Sequence, residues 1–337
     1  MAPVRKLAVV TGGNSGIGLA IARRLLGSES AKEHEFRVVL ACRNQAKGEA
    51  ARAELLAAHP LAQVDLVELD TSSVASVERA ASALRAMSLE AGGVHLLFCN
   101  AGAMAIESLD LWGIVSGLLS HPIAFFESSE ALRQKRGLIT GDGLGETFQT
   151  NVFGHYLLIA RLTKTMAVGS RVVWTGSSAS QLEFTPSDYQ HVWGAKPYES
   201  SKYIVDQIAI PLDQRLRPLG IRCVVAEPGN VCTNFLAGLE LPLFHYLILG
   251  VFYFIRFALG LARFTITADT AAVACCYAAL VEDVDARVKY HSEATRLGAP
   301  YVRAKALNHN KDTAAFLMGR LDGLVKRFDE EKNETKD

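Results

Sequence analysis

The sequence predicts an α/β fold, a doubly wound and mostly parallel sheet in a single domain that carries insertions and an apolar segment toward its C-terminal part. Six short runs at 7–10, 37–41, 64–69, 95–99, 171–175 and 221–226 are apolar with little polar alternation, as strands covered on both faces are. Between them the chain repeats one theme, a polar or glycine-containing turn followed by a helical stretch. The first run also passes straight into a glycine-rich turn and a helix, the start of a nucleotide-binding unit.

Taken in order, Leu7-Ala8-Val9-Val10 is the first strand, and Ile17 to Leu26 follows with helical spacing. After the second run, Ala46 to Ala58 is rich in Ala, Glu and Lys and is the clearest helix by propensity. Between Asn100 and Asn151 lies a stretch with Trp112, Phe125 and Phe126, too long and apolar for an ordinary loop; a folded insertion is expected over about 105–140. Pro211 lies inside the helix that should follow Lys202 and implies a kink. The block from Leu241 to Phe264 is apolar except for His245, Arg256 and Arg263. The main domain is expected to span 1–310, with a C-terminal helix and charged tail over 311–337 that frays after Lys326.

Lysine plus arginine total 35 and aspartate plus glutamate total 35, so no net field points to nucleic acid. The six cysteines show no C-x-x-C spacing and sit mostly in apolar runs, which reads as buried thiols, neither a disulfide framework nor a metal site. The N-terminal residues enter the first strand too early for a cleavable signal peptide.

Thr11-Gly12-Gly13-Asn14-Ser15-Gly16-Ile17-Gly18 places glycines where a tight turn must let backbone amides and a helix N-terminus approach a pyrophosphate. The alternative is a plain strand-to-helix turn. The second strand ends at Cys42-Arg43, where an NAD site would place an acidic residue against the ribose. Arg43 and Lys47 stand there instead, and a cation at that place pairs with the extra phosphate of NADP. NADP(H) is therefore preferred over NAD, the alternative being solvated charges at a helix start.

Tyr198 and Lys202 lie four residues apart on a helix, one turn apart on the same face. A free phenol has a pKa of about 10, and a neighbouring ammonium is expected to lower it into a useful range for proton transfer. Gly176-Ser177-Ser178 ends a strand, so a serine hydroxyl sits at the carboxyl edge of the sheet, where doubly wound folds bind ligands. Asn100 and Asn151 follow or open further elements, as turn and cap asparagines also do.

On these residues the chain resembles the short-chain dehydrogenases/reductases, Rossmann-like enzymes, over about residues 5–235. Its glycine motif is matched by Thr11–Gly18, including Gly12, Asn14, Ser15, Gly16, Ile17 and Gly18, and its Asn-Ala-Gly motif by Asn100, Ala101 and Gly102. The resemblance assigns the catalytic set to Asn151, Ser177 with Ser178 as rival, Tyr198 and Lys202. It gives Asp70 the adenine contact, and Pro228, Gly229, Val231 and Thr233 the loop that holds the nicotinamide amide. It implies that hydride passes to a carbonyl carbon while Tyr198 protonates the oxygen, Ser177 hydrogen-bonds it, and Lys202 and a water on Asn151 relay the proton. The interval from Ser177 to Tyr198 is longer than the family usually shows, through Ser187–Trp193.

The aromatic insertion, Thr150–His155, Lys196–Tyr203 and the block at 241–264 resemble the 3-keto-steroid reductases of sterol C4 demethylation, nearly to Leu307. This implies NADPH-dependent reduction of a 3-keto sterol to the 3-beta-alcohol, at the cytosolic face of the endoplasmic reticulum membrane or on lipid droplets. It also implies a place beside the other demethylation enzymes, and a homodimer is a further expected partner state. The alternatives are another lipid carbonyl, a 17-keto steroid or retinal, and a non-catalytic nucleotide-binding scaffold. Leu243 to Ile255 gives thirteen residues before Arg256, short of the roughly 20 that cross a hydrocarbon core, so a membrane-dipping segment is expected, with a buried helix pair as the alternative.

Overall fold

A computed structural model describes residues 5–27, 36–120, 132–180, 185–231 and 249–334. Its main sheet has eight strands in the order β10-β9-β8-β7-β4-β1-β2-β3. They are β1 Lys6–Thr11, β2 Phe36–Cys42, β3 Gln63–Glu68, β4 Val94–Cys99, β7 Met166–Thr175, β8 Arg222–Glu227, β9 Val288–Ala294 and β10 Pro300–Ala306. All neighbours pair in parallel except β10, which runs antiparallel on β9 at one edge. The six runs expected from the sequence are the strands from β1 to β4, β7 and β8. The chain crosses from one half of the sheet to the other between β1 and β4, and ligands of open α/β sheets bind at such a reversal.

The inner strands β1, β2, β4 and β8 are largely apolar because both faces are covered. Leu7, Val9, Val39, Leu97 and Trp174 belong to one buried cluster, with the helices Val74–Ala91, Gly154–Leu162, Pro197–Leu216 and Lys311–Glu334. Ala8, Val10, Val38, Leu40, Phe98 and Val173 belong to the other, with Gly16–Gly27, Gln45–Ala58 and Val273–Leu280. Successive residues of one strand thus feed opposite cores, each fully buried aliphatic side chain contributing about 1.5–3 kcal/mol. Helix starts follow local chemistry: the Asn44 and Ser73 side chains accept from the amides of Lys47 and Ser76, and Gly92 closes the second of these helices in the left-handed conformation.

Within the expected insertion, β5 Ile106–Leu109 pairs antiparallel with β6 Leu132–Gln134, and the helix Leu111–Ser120 leaves from β5. Phe125 and Phe126 lie outside the described residues. Pro211 sits inside the helix Pro197–Leu216 without ending it. The C-terminal helix does not stop near Lys326 but continues to Glu334. Phe328 is buried against Phe153, Arg215 grips Asp322 at 2.8 Å, and Lys326–Glu330 and Arg327–Glu331 pair along the exposed side.

Of the apolar block, 241–248 lies outside the described residues. Residues 249–254 are helical, and the turn Ile255–Leu259 is π-helical and closes at Gly260 with φ +69°. Ile255, Phe264 and Ile266 are buried together, while Tyr253, Phe254, Phe257 and Leu259 face solvent. No described helix is long and apolar enough to cross a membrane. Cys42, Cys99, Cys223 and Cys275 are buried free thiols, Cys276 is a half-buried one, and Cys232 lies outside the described residues.

Candidate active site

The carboxyl ends of β1, β4, β7 and β8 converge on one edge, and the residues singled out by sequence lie along it. The turn after β1 needs glycine. Gly12 and Gly16 have φ of +64° and +53°, in the left-handed region that glycine alone enters freely. A Cβ on Gly18 would lie 2.3 Å from the Gly12 carbonyl oxygen and 2.7 Å from Asn100 Nδ2. The helix Gly16–Gly27 begins inside this turn, with Ile17 in its first turn and Asn14 and Ser15 just before it. The turn is locked from below by Thr11, whose Oγ1 accepts from the amides of Asn100 at 2.8 Å and Ala101 at 2.9 Å, while Asn100 Nδ2 donates to the Thr11 carbonyl. His155 Nε2 also meets Thr11 Oγ1, at 2.9 Å. Complete burial, with Lys202 adding repulsion, pushes this imidazole down to about 3, so it is neutral.

At the end of β2, Arg43 is largely exposed and its guanidinium lies 3.6 Å from Asp70. Lys47 is exposed one turn into the next helix. No acidic side chain occupies the end of β2. At the other end of the cleft, Pro228, Gly229 and Val231 follow β8. Asn230 exchanges backbone hydrogen bonds with Arg263 and Ile266, and Thr265 Oγ1 donates to the Pro228 carbonyl at 2.9 Å. Gly229, at φ +75°, could carry no side chain, because a Cβ would lie 2.5 Å from the Arg263 oxygen. Thr233 lies outside the described residues.

Between these ends the structure brings Asn151, Ser177, Tyr198 and Lys202 together. The helix Pro197–Leu216 opens with proline at its first position, where the missing N–H costs nothing, and so begins just before Tyr198. Ser177 hydrogen-bonds the Tyr198 side chain, which makes it the serine that meets the phenol. Lys202 Nζ donates to the Thr175 carbonyl at 2.8 Å and lies 5.6 Å from the Tyr198 ring centre. Asn151 sits in the π-turn Gln149–Phe153, a helix irregularity that recurs at functional sites. Its side chain exchanges hydrogen bonds with the Ala103 backbone at 2.8 and 3.0 Å and donates to Ser201 Oγ at 3.0 Å. Gly102 keeps the space between them open, since a Cβ there would lie 3.2 Å from Asn151 Oδ1 and 3.8 Å from Lys202 Nζ.

The electrostatics differ from the sequence expectation in one respect. Burial pushes Tyr198 up to about 12, against the pull of Ser177 and with Glu199 and Glu227 adding to the rise. Lys202 is held down at about 8 by burial. Its ammonium is turned to the Thr175 carbonyl, so desolvation outweighs any help it gives the phenolate.

Several site residues escaped the sequence reading. Thr11 and Thr175 end apolar strands at the ligand edge, a signal that was legible; His155 lies within the segment quoted for Asn151. Gln134 carried no signal. It comes from β6 of the insertion, its Oε1 accepts from the Tyr198 amide at 2.9 Å, and its Nε2 donates to the buried Glu199 at 2.6 Å. The insertion therefore steadies the first turn of the Tyr198 helix. Ser187–Trp193 also packs here: Val192 accepts from the Gly137 amide, and Gln190 Oε1 from that of Gly145.

Residues 6–113 match the short chain dehydrogenase family model. The chain is 35% identical over 330 residues to the human 3-keto-steroid reductase/17-beta-hydroxysteroid dehydrogenase 7, covering 96% of this chain and 95% of that protein. It is 31% identical to a 3-keto-steroid reductase of Schizosaccharomyces pombe, over 87% of this chain and 88% of the relative. Among solved structures, an uncharacterised protein from Mycobacterium paratuberculosis aligns over 96% of this chain and 94% of its own with a TM-score of 0.62 at 21% identity. A short chain dehydrogenase from Burkholderia cenocepacia in complex with NADP aligns over 82% and 91% with a TM-score of 0.52, also at 21% identity. These two likenesses speak for the fold. The identity to the curated relatives along nearly the whole chain, with the family-model match, places this protein in the short-chain dehydrogenase family, in the branch that holds the 3-keto-steroid reductases.

Proposed function

We propose that the protein is an NADPH-dependent oxidoreductase that reduces a 3-keto sterol to the 3-beta-alcohol, in the removal of the sterol C4 substituents. The observation that carries this reading is the contact of Ser177 with a half-buried, protonated Tyr198 at the sheet edge, one helical turn from Lys202, in a chain that matches 3-keto-steroid reductases along nearly its whole length.

The glycine turn is a cradle that a Cβ would fill, and it suits a dinucleotide: Gly12, Asn14, Ser15, Gly16, Ile17 and Gly18 would face the pyrophosphate. Asp70 and Asn100 to Gly102 would flank the adenosine half, and Pro228, Gly229 and Val231 the nicotinamide end. When bound, the reduced nicotinamide supplies hydride to the carbonyl carbon. Tyr198 holds the proton that ends on the carbonyl oxygen, and Ser177 donates a hydrogen bond to that oxygen. Lys202 would bind the ribose hydroxyls and, with a water on Asn151 in the opening beside Gly102, return a proton to the phenol. The preference for NADP rests on Arg43. Its replacement by serine is expected to raise the KM for NADPH about tenfold, roughly 1.4 kcal/mol, and to leave the KM for NADH nearly unchanged. Steady-state kinetics with both nucleotides measure this.

A sterol is almost all hydrocarbon and reaches an enzyme most easily from a bilayer. The exposed Tyr253, Phe254, Phe257 and Leu259, with the Arg256 guanidinium 5.1 Å from the Tyr253 ring centre, support docking on a membrane surface. We assign this to the cytosolic face of the endoplasmic reticulum, beside the other C4-demethylation enzymes. Purified protein with NADPH or NADH and a panel of 3-keto sterols, 17-keto steroids and retinal tests the reading through loss of the reduced nicotinamide absorbance. Turnover confined to the 3-keto sterols is expected; preference for retinal or a 17-keto steroid overturns the substrate.

A further inference from the structure

Beneath the Ser177 turn the protein buries four ionisable side chains that the chemistry above does not use. Lys289 and His291 come from β9, Glu227 from the end of β8, and Asp206 from the Tyr198 helix, one turn after Lys202. Their exposures are 7, 5, 2 and 3%, so their charges are withdrawn from water. Such a cluster is strongly unfavourable unless each charge is paired and hydrogen-bonded, and here the pairing is specific. Lys289 Nζ donates to Asp206 Oδ2 at 2.6 Å, to the Ser177 carbonyl at 3.2 Å and to Ser180 Oγ at 3.2 Å. The Ser180 hydroxyl in turn donates to Asp206 Oδ2 at 2.6 Å. Glu227 lies 3.8 Å from the same ammonium and 3.2 Å from His291.

We propose that Lys289 and Asp206 are positioning residues for the reduction: the pair anchors the Ser177 turn from beneath and sets the balance of charge around Lys202. This rests on the carbonyl-reductase reading above. Ser177 can meet the Tyr198 phenol only if its turn stays against the sheet, and Lys289 is the cation that ties the Ser177 carbonyl to the Tyr198 helix through Asp206. The charged and titratable groups that face Lys202 are Asp206 and Tyr198 on its own helix, Lys289 from β9, Cys275 from the helix Val273–Leu280, Cys99 from β4 and the neutral His155 from the helix Gly154–Leu162. Asp206 raises its proton affinity and Lys289 lowers it. On the phenol side, Glu199 and Glu227 both raise Tyr198. A pair that served only to fill space would leave these ionisations where they are.

The test measures kcat/KM for cholestanone with NADPH from neutral to alkaline pH in the full-length enzyme and in Lys289→Met, Asp206→Asn and the double variant. Lys289→Met is expected to move the alkaline limb up and Asp206→Asn to move it down, each by about half a pH unit or more, because they remove opposite influences on one amine. Both lower kcat about tenfold or more through the loosened Ser177 turn, while NADPH binding, read by fluorescence, stays unchanged. Limbs that stay in place, or that move in the same direction, overturn the proposal. If a single variant does not fold, the double variant decides, since it leaves neither charge alone. A limb near that of the unaltered enzyme with reduced kcat supports the proposal, and an unreduced kcat overturns it. Tyr198→Phe serves as the control: full activity there would remove the reductase mechanism itself, whereas an inactive Tyr198→Phe beside unshifted limbs removes only the role of the pair.

Discussion

Tyr198→Phe is expected to cut ketone reduction about a hundredfold or more while the reduced nucleotide still binds. The half-buried phenol is pushed up to about 12 by desolvation, so it keeps its proton at neutral pH. A positioned proton donor contributes about 10²–10⁴-fold, and the variant loses that factor from kcat because the phenylalanine ring fills the same space without the hydroxyl. Under the proposed reading the nucleotide is held by the glycine turn and Arg43, away from the hydroxyl, so fluorescence titration is expected to give the dissociation constant of the unaltered enzyme. The pH dependence has a definite sign. Lys202, held down at about 8, is protonated below that value and loses its proton as pH rises through it, so the proposed return of protons to Tyr198 would weaken there. Reduction is therefore level at neutral pH and falls on the alkaline side of about 8. The decline is read in kcat/KM, which reports the free enzyme. A Tyr198→Phe variant with full activity would sink the mechanism.

The parts of this protein that repeat a local rule were legible in its sequence. Strands β1, β2, β4 and β8 and the end of β7 are covered on both faces and so are written as largely apolar runs, and the glycines of the first turn mark where the backbone must turn tightly. β9 and β10 were not legible, because Val288–Ala294 carries Lys289, His291 and Glu293, charged residues that no burial pattern predicts. Lys289 and His291 are inside because Asp206, Glu227 and the Ser177 turn receive them, partners 62 or more positions away in the chain, and Glu293 is met only across the sheet, by Arg303 and Lys305 of β10. The position of Gln134 is hidden for the same reason: only the closed β5–β6 hairpin brings it to the Tyr198 amide. The acidity of the phenol was misjudged in the sequence because a helical spacing of four places Lys202 on the right face but says nothing of desolvation or of where its ammonium points.

Gly18→Ala separates the nucleotide site from the proton-transfer site. Its added methyl would sit 2.3 Å from the Gly12 carbonyl oxygen and 2.7 Å from Asn100 Nδ2, and the first of these is backbone that no side-chain rotation can move aside. The helix Gly16–Gly27 must then lift away from the turn, which costs about 1–3 kcal/mol as overpacking elsewhere does. That displacement falls where the helix N-terminus and its free amides would meet a pyrophosphate, so the dissociation constant for NADPH rises about a hundredfold or more. The same shift pulls on Asn100, whose side chain holds the Thr11 carbonyl, so a lower melting temperature accompanies the lost affinity. Tyr198, Ser177 and Lys202 are held by β7, β6 and their own helix, and the link from Gly18 to them runs through a single long hydrogen bond, Thr175 Oγ1 to Asn100 Oδ1 at 3.3 Å. Saturating NADPH is therefore expected to restore much of kcat in Gly18→Ala, as it cannot in Tyr198→Phe. Isothermal titration for the affinity, with kcat extrapolated to saturating nucleotide, distinguishes the two lesions. Unchanged NADPH affinity in Gly18→Ala would show that the turn is only a structural bend and that the dinucleotide binds elsewhere.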